Sequence, residues 1–304
     1  MILFHADDYG INTAQAKRIL ACHSHGCLNS VSLLVTSPEA ADCVQLLPED
    51  LRCRLHLNFR EGPSLSDPAG IPMLVDDRGY FRLSFGAMLL RSLFRKKRLK
   101  AQLRKEIRLQ ILRMQELMGP DVPLRIDSHG HYHMIPAVWD ALFETCEELQ
   151  VKIREIRIPA EPFGPILRDP RLLIKAPVSG IIKNLVMHLL YTRNRIAGSQ
   201  PKDFDFKKNV PVFFGMIFTT RMTRLPVRRL LPSFQKLAVS RGRDLELMFH
   251  PGGLSANEPL WDERFREFHA SPYRYREART LCSMSSTPAR HTKEDSQEVK
   301  DHGK

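Results

Sequence analysis

The hydrophobic pattern of the chain alternates between short apolar segments and longer amphipathic ones. Seven segments are short and apolar, as expected of buried strands: 1–4, 30–35, 52–58, 124–126, 151–158, 210–218 and 244–249. Segments with helical character lie between and after them: 11–22, 38–47, 99–118, 136–149, 178–194, 226–240 and 262–282. Strands that alternate with helices imply parallel β/α units, and seven such units favour closure over an open sheet. We therefore predict an α/β protein with a (β/α) barrel-like fold, about seven parallel strands and a helical insertion.

The predicted domain covers 1–282, and two regions depart from its regular pattern. Residues 160–209 interrupt the alternation with Pro-rich turns, a short apolar helix and a charged stretch, so we expect an insertion above or beside the barrel. Residues 283–304 are polar and poor in apolar side chains, which predicts a disordered tail. The loop 60–82 is rich in Gly, Pro, Ser and Asp, and a loop of this length usually covers a site.

Charge is distributed unevenly along the chain. The net charge is +12, and the segment from Arg91 to Met118 holds ten Lys or Arg against two Glu. A basic patch attracts anionic partners, although a solvated helix face explains it as well. The basic helix has no interleaved aromatic residues, which argues against nucleic acid. Residues 88–98 are apolar and then basic, so peripheral membrane contact through the basic 91–113 region stays open.

Compartment and assembly are only weakly constrained by the sequence. No apolar run approaches the roughly 20 residues of a membrane helix, and the N-terminus has no basic and apolar leader pattern. We therefore expect a cytoplasmic protein. The six cysteines show neither a C-x-x-C pair nor a spacing typical of disulfides or of a thiolate zinc site. A homodimer is left open.

Adjacent carboxylates mark the end of the first predicted strand. Asp7 and Asp8 follow an apolar run and precede Gly10, where a strand meets a loop. Neighbouring carboxylates repel each other, so such a pair needs a cation, a shared proton or open solvent. The alternative is a solvated turn in which Asp8 or Asn12 caps the next helix.

Histidines follow or end other predicted strands. His56 lies on the polar side of the third strand, His129 follows the fourth and His250 follows the seventh. The carboxyl ends of parallel strands are where such folds build their sites. Asp8, His56 and His129 form a ligand set that suits a divalent metal with open coordination positions, Mg or Zn. Asp7 is then the candidate general base and His250 the candidate general acid of a hydrolytic site.

The segment 129–133 has three histidines in alternation, His129, His131 and His133, next to Asp127 at the strand end. If the chain stays extended, these imidazoles lie on one side. We therefore expect a metal or catalytic role for this segment.

Several motifs together resemble the YdjC-like (ChbG/HpnK) carbohydrate deacetylases. The matching motifs are Ala6-Asp7-Asp8-Tyr9-Gly10, Leu55-His56-Leu57-Asn58, the run 127–133 with Pro136, Arg157-Ile158-Pro159 and the run 246–252. The resemblance implies a barrel-like (β/α) fold, a divalent metal and hydrolysis of the acetyl group from an acetylated amino sugar. It places the metal on Asp8, His56 and His129 and the preceding carboxylate on Asp7. Substrate contacts are expected from Asn58, Asp127, His131 and Arg157.

Two other functions are compatible with the sequence. The first keeps the metal but changes the reaction to phosphoester hydrolysis, which uses the same ligand types. The second is a membrane-surface binding protein with a vestigial site.

Overall fold

A computed structural model describes residues 1–202 and 204–284 of the chain. Seven strands form one sheet in the order β5-β4-β3-β2-β1-β7-β6, and all six neighbouring pairs are parallel. The strands are β1 (Ile2–Tyr9), β2 (Ser30–Leu33), β3 (Arg52–Leu57), β4 (Leu124–Ser128), β5 (Ile153–Ile156), β6 (Val212–Phe214) and β7 (Leu245–Phe249). The seven predicted strands and the barrel-like architecture are therefore confirmed.

The sheet curls into a half-barrel whose two edges approach each other. The amide of Ile156 in β5 donates to the carbonyl of Asn209, just before β6, at 2.9 Å. β5 and β6 are not paired as neighbouring strands. The carboxyl ends of the strands nevertheless surround one common opening, which is the side on which the predicted site residues lie.

Eleven helices in the described ranges surround the sheet. They are α1 (Thr13–Ser24), α2 (Ala40–Gln45), α3 (Phe85–Phe94), α4 (Lys96–Met118), α5 (Pro136–Glu148), α6 (Gly164–Leu167), α7 (Pro170–Lys175), α8 (Val178–Ala197), α9 (Arg224–Ser240), α10 (Arg266–His269) and α11 (Pro272–Ser283). The insertion contributes α6, α7 and α8. The single helix predicted over 262–282 is wrong, because the chain there forms a short 3-10 turn followed by α10 and α11. The predicted tail begins inside α11, and 285–304 lie outside the described residues.

The inward side of α4 carries polar side chains among its apolar ones, and these hold the loop 60–82. Buried Gln110 accepts from the amide of Asn58 at 2.9 Å and donates to the carbonyl of the same residue at 2.8 Å. One turn earlier, Glu106 accepts from the amides of Leu65 and Ser66. Because buried polar groups need partners, this row of side chains fixes the start of the loop against the barrel.

Charged side chains lie inside the half-barrel, below the opening at the carboxyl ends of the strands. Arg54, Arg157 and Glu246 are fully buried. Glu246 accepts from Arg54 at 2.7 Å and from Arg157 at 2.5 Å. Removing one partner from such a buried network leaves an uncompensated charge, which costs about 3–5 kcal/mol.

No helix within residues 1–202 and 204–284 has the length and apolar character needed to cross a membrane.

Candidate metal centre and active site

A backbone irregularity at the end of β1 turns two consecutive carboxylates toward the same opening. In a regular strand, Asp7 and Asp8 would point to opposite faces of the sheet. Asp8 instead has a φ of 64°, and the pairing register of β1 with β2 shifts between Ala6 and Tyr9. Asp tolerates this left-handed conformation better than most residues. Asn12 caps α1 by accepting from the amide of Gln15, as the alternative interpretation allowed, but the turn is not solvated, because Asp7 and Asp8 are both buried.

Asp8, His56 and His129 converge at this opening. Asp8 Oδ1 lies 2.8 Å from His129 Nδ1 and 3.5 Å from His56 Nε2. One ligand atom from each of the three residues lies within 4.8 Å of the others. All three side chains are buried. The structure therefore brings together the three residues that the sequence predicted as metal ligands.

Each of these side chains is oriented by a further contact. His56 Nδ1 lies 2.6 Å from Asp127 Oδ1, which directs Nε2 toward Asp8. Arg274 donates to Asp8 Oδ2 at 2.6 Å and leaves Oδ1 facing the imidazoles. A carboxylate behind a histidine is the usual second contact of metal-ligating histidines.

His129 has its own supporting pair, which the sequence gave no reason to select. Its Nε2 lies 3.0 Å from Glu61 Oε1, and the same oxygen lies 2.9 Å from His269 Nε2. Burial raises the pKa of Glu61, but His269 and His129 more than offset this and lower it to about 2. The Glu61 carboxylate therefore stays charged at neutral pH.

The donor set fits a divalent cation. Asp8 Oδ1 and His56 Nε2 are buried, and among the described residues neither makes a contact with the geometry of a hydrogen bond, which is costly for polar atoms unless a further group binds them. One carboxylate oxygen and two imidazole nitrogens are typical ligands of Zn²⁺ and are accepted by several other divalent ions. Burial opposes ionisation of Asp8, but His129 and Arg274 hold its pKa well below the usual range.

Asp7 is bound on both oxygens by one guanidinium. Arg157 Nη1 donates to Oδ2 and Nη2 to Oδ1, each at 2.7 Å. Burial raises the pKa of Asp7, but the charge of Arg157 outweighs it and the pKa lies well below the usual range. Asp7 also forms a second cluster of potential ligands with His5 and Asp127. Because Arg157 Nη2 lies 2.9 Å from Asp127 Oδ2, the guanidinium already supplies the positive charge there.

His250 faces Asp7 from the end of β7. Its Nε2 lies 3.9 Å from Asp7 Oδ2. Its backbone amide donates to the buried carboxylate of Glu277 at 2.5 Å, which fixes the chain at this point. Burial lowers the pKa of His250 to about 4, so the imidazole is neutral at neutral pH.

A cavity of about 900 Å³ lies above these groups. Asp7, His129, His131 and His250 are among its lining residues. Its walls come from the loop 60–85, from the first turns of α8 and from the segments 216–221 and 264–268. The predicted covering role of the loop 60–82 thus has a structural counterpart, and the insertion borders the same cavity.

The predicted substrate-contacting residues occupy different positions relative to the cavity. His131 lines it, whereas Asn58, Asp127 and Arg157 do not. These three are fully buried and bound to protein groups; Asn58, for example, donates to the carbonyl of Glu61 at 2.7 Å. The structure therefore favours positioning roles for them over substrate contact.

The segment 129–133 is not extended, so the condition for placing its three imidazoles on one side is not met. This stretch forms a 3-10 turn in which Gly130 and His131 have φ of 61° and 62°. His133 consequently points away from the other two imidazoles, with Nε2 2.8 Å from the carbonyl of Arg157. Only His129 of the three reaches the metal cluster.

The residues that sequence reasoning missed are Glu61, His269, Arg274, Arg54 and Glu246. The sequence pattern could have identified Arg54 and Glu246, because charged side chains at inward positions of apolar strands indicate a polar interior. The other three lie on a loop and on helices, where no periodicity marks them. His5 is a buried histidine whose two ring nitrogens contact the hydroxyls of Ser30 and Ser32.

The fold and the site define a (β/α) barrel-like protein with a candidate metal centre and a candidate acid–base pair at the carboxyl ends of its strands. The chain belongs to the YdjC-like protein family, whose sequence profile matches residues 1–288. Membership in this family confirms the resemblance drawn from the motifs.

Relatives with assigned activities match part of the chain. A carbohydrate deacetylase from Thermoanaerobacter pseudethanolicus is 30% identical over 162 residues, covering 53% of this chain and 62% of that protein. A chitooligosaccharide deacetylase from Proteus mirabilis is 29% identical over 163 residues, covering 53% of this chain and 61% of that protein. The chain therefore spans somewhat less than two thirds of the length of these relatives.

A solved structure supports the fold. A crystal structure from Enterococcus faecalis V583, of a protein whose proposed activity is cellobiose-phosphate cleavage, superposes with a TM-score of 0.59 and 19% sequence identity. The superposition covers 92% of this chain and 90% of that one. At this identity the likeness establishes the architecture alone.

Proposed function

We propose that the protein is a metal-dependent hydrolase that removes the acetyl group from an N-acetylated amino sugar, either an oligosaccharide or a lipid-linked sugar. The observation that carries the proposal is the convergence of Asp8, His56 and His129 beside Asp7 and His250. The names of the relatives supply the reaction class, since they are carbohydrate deacetylases.

Asp8 Oδ1, His56 Nε2 and the facing nitrogen of His129 would hold the ion, which we take to be Mg²⁺ or Zn²⁺. A divalent ion supplies Lewis-acid polarisation of the amide carbonyl and lowers the pKa of water. The protein contributes the fixed orientation of the ligands. Asp127 and Arg274 bind the far sides of His56 and Asp8, so these ligands keep one geometry.

Asp7 and His250 together can carry one proton from water to the leaving nitrogen. Asp7 is ionised and His250 is neutral at neutral pH, so the pair can accept one proton when the reaction starts. Asp7 takes the proton of the attacking water as general base. His250, 3.9 Å away, receives this proton from Asp7 and donates it to the departing amine as general acid. The number of protons on the pair is then the same before and after each turnover.

Hydrolysis assays on matched substrates test the proposal. Purified protein with added Mg²⁺ or Zn²⁺ is given acetylated amino sugars, including chitooligosaccharides, and phosphorylated sugars, and the release of acetate and of phosphate is measured. We expect acetate from the first group, loss of activity with a chelator and recovery on addition of metal. Release of phosphate without acetate would instead identify a phosphoester hydrolase.

Asp8→Asn is the informative variant, because it removes a ligand charge while keeping the side-chain shape. We expect it to lose both bound metal and acetate release. Asp42→Asn, at an exposed position of α2, is the matched control and should retain both. Full acetate release by a folded Asp8→Asn protein would contradict the proposed centre.

A further inference from the structure

Two segments around the cavity mouth contain no acidic residue. Residues 82–105 carry nine Lys or Arg and residues 170–202 carry six, with no Asp or Glu in either. The first segment contains α3 and the start of α4, and the second contains α7 and α8. We call the exposed surface of α3, the first turn of α4 and the outer side of α8 the apolar–basic face.

The corner between α3 and α4 exposes apolar and cationic side chains next to each other. Phe94, the last residue of α3, is 79% exposed, and Leu93 is 65% exposed. Arg95, Lys97 and Arg98 follow within one turn and are exposed as well. An exposed aromatic side chain flanked by cations is typical of segments that insert into the headgroup region of a membrane.

The cations at this corner are available to a partner. Within the described part of the chain, no carboxylate lies within ion-pair distance of Arg95, Lys97 or Arg98, whereas the neighbouring Lys96 binds Asp140 at 2.6 Å. These three charges thus remain without a counter-ion in the fold. An anionic surface would supply one.

α8 carries a second exposed apolar stripe. Val178, Ile182, Leu185, Leu189 and Ile196 are spaced by whole helical turns and are all exposed, Ile182 by 55%, Leu189 by 71% and Ile196 by 81%. The opposite side of α8 packs on the barrel. The only charged side chains on this helix are cationic.

α3 and α8 both border the cavity, and both contact the segment 134–137. Phe85 of α3 and Ile182 of α8 both line the cavity. Farther along the two helices, Ser92 of α3 accepts a hydrogen bond from the amide of Ala137 at 3.0 Å. Asn194 of α8 donates to the carbonyl of Met134 at 2.9 Å. The two helices therefore flank one segment, and the first turns of both border the cavity.

We propose that the apolar–basic face docks on an anionic phospholipid surface, with the cavity mouth at that surface. The apolar side chains enter the headgroup region while the cations meet the phosphates. A second copy of the chain fits less well, because its own apolar–basic face would present cations to cations with no carboxylate to pair them. Docking on a lipid surface is a binding property and does not depend on the proposed deacetylation.

Vesicle binding by the full chain tests the docking surface. Protein is mixed with vesicles of phosphatidylcholine alone or of phosphatidylcholine with phosphatidylglycerol, and the bound fraction is measured by flotation. We expect binding only to the anionic vesicles, weakened by added salt. A Lys97→Glu and Arg98→Glu double variant should lower the partition coefficient at least about tenfold, and Phe94→Ser should lower it as well.

The matched controls lie on α9, which does not border the cavity. Arg228→Glu with Lys236→Glu makes the same change in net charge, and Val239→Ser removes an equally exposed apolar side chain at 80% exposure. These variants should bind as the wild type does. Absence of binding to anionic vesicles, an equal loss in the α9 variants, or a dimer in solution that Phe94→Ser and Leu189→Ser dissociate would each overturn the proposal.

Discussion

Arg157 binds both carboxylate oxygens of Asp7 through two parallel hydrogen bonds of 2.7 Å. This paired geometry holds the carboxylate in one plane and keeps it ionised. The same guanidinium contacts Asp127 and Glu246, so one fully buried cation is shared by three carboxylates. Asp7 is therefore oriented by the interior of the barrel, while its remaining side faces the cavity.

Arg157→Lys keeps the charge but cannot reproduce the paired geometry, since an ammonium group is a point charge. We expect kcat to fall by about 10- to 100-fold with little change in KM, because the misplacement affects a reacting group and leaves the cavity wall intact. Steady-state acetate release measures both constants. Arg154→Lys, at an exposed position of β5, is the control. An unchanged kcat would show that the orientation of Asp7 by Arg157 is unimportant.

The strands and the convergence of the three candidate metal ligands could be predicted from the sequence because both signals are local. Each ligand stands at the end of an apolar run, and parallel topology brings such ends together. Glu61 and His269 could not be found in this way, because they meet His129 only through a loop and a late helix. The turn at 129–133 was also hidden, since the alternation of histidines resembles a strand while the left-handed residues Gly130 and His131 bend the chain.

Asp127→Asn should weaken metal binding. The asparagine oxygen can still accept from His56 Nδ1, but the negative charge behind the imidazole is lost. Loss of such a contact typically lowers metal affinity by about 10- to 100-fold. Calorimetric titration with Mg²⁺ and Zn²⁺ measures the change, with Asp121→Asn at an exposed position as the control. Equal affinities in wild type and Asp127→Asn would mean that Asp127 serves only the arginine network.

Metal affinity should increase with pH. Burial lowers the pKa of His56, but the Asp127 carboxylate outweighs it and raises the pKa to about 10. At neutral pH the imidazole therefore holds a proton that the metal must displace. The dissociation constant should then fall by at least about tenfold per pH unit around neutrality. Titrations at several pH values check this slope, and a constant affinity would contradict it.

Glu161 links the insertion to the cavity wall and should make stability depend on pH. Its Oε2 accepts from the amides of Gly215, Met216 and Ile217, and its backbone carbonyl accepts from Asn184 of α8. Burial raises the pKa of Glu161 from 4.5 to about 7, against the effect of the three amides. A carboxyl group whose pKa is higher in the folded state stabilises the fold at pH values below its unfolded pKa. This stabilisation is lost as the pH rises through about 7.

Glu161→Gln should remove that dependence, because the amide oxygen can keep the three hydrogen bonds without a charge. The variant should gain up to about 3 kcal/mol relative to wild type at pH 8, and little at pH 4. Urea unfolding at both pH values measures the difference. A loss of stability at both would show that the three amides need the ionised carboxylate.

Gly180 allows α8 to pack directly on the backbone that forms the cavity wall. A Cβ at this position would lie 2.0 Å from the carbonyl oxygen of Ile217, which is far inside contact distance. Gly180→Ala must therefore displace either the helix or the segment 216–221. We expect a loss of about 1–3 kcal/mol in the free energy of unfolding and a raised KM, because the same contact shapes the cavity.

Gly86→Ala is the matched control in α3, where a Cβ would meet no atom within 4 Å. It should stabilise the protein by about 0.5–1 kcal/mol through lower chain entropy. Equal effects of the two substitutions would show that α8 is not packed against Ile217 in solution.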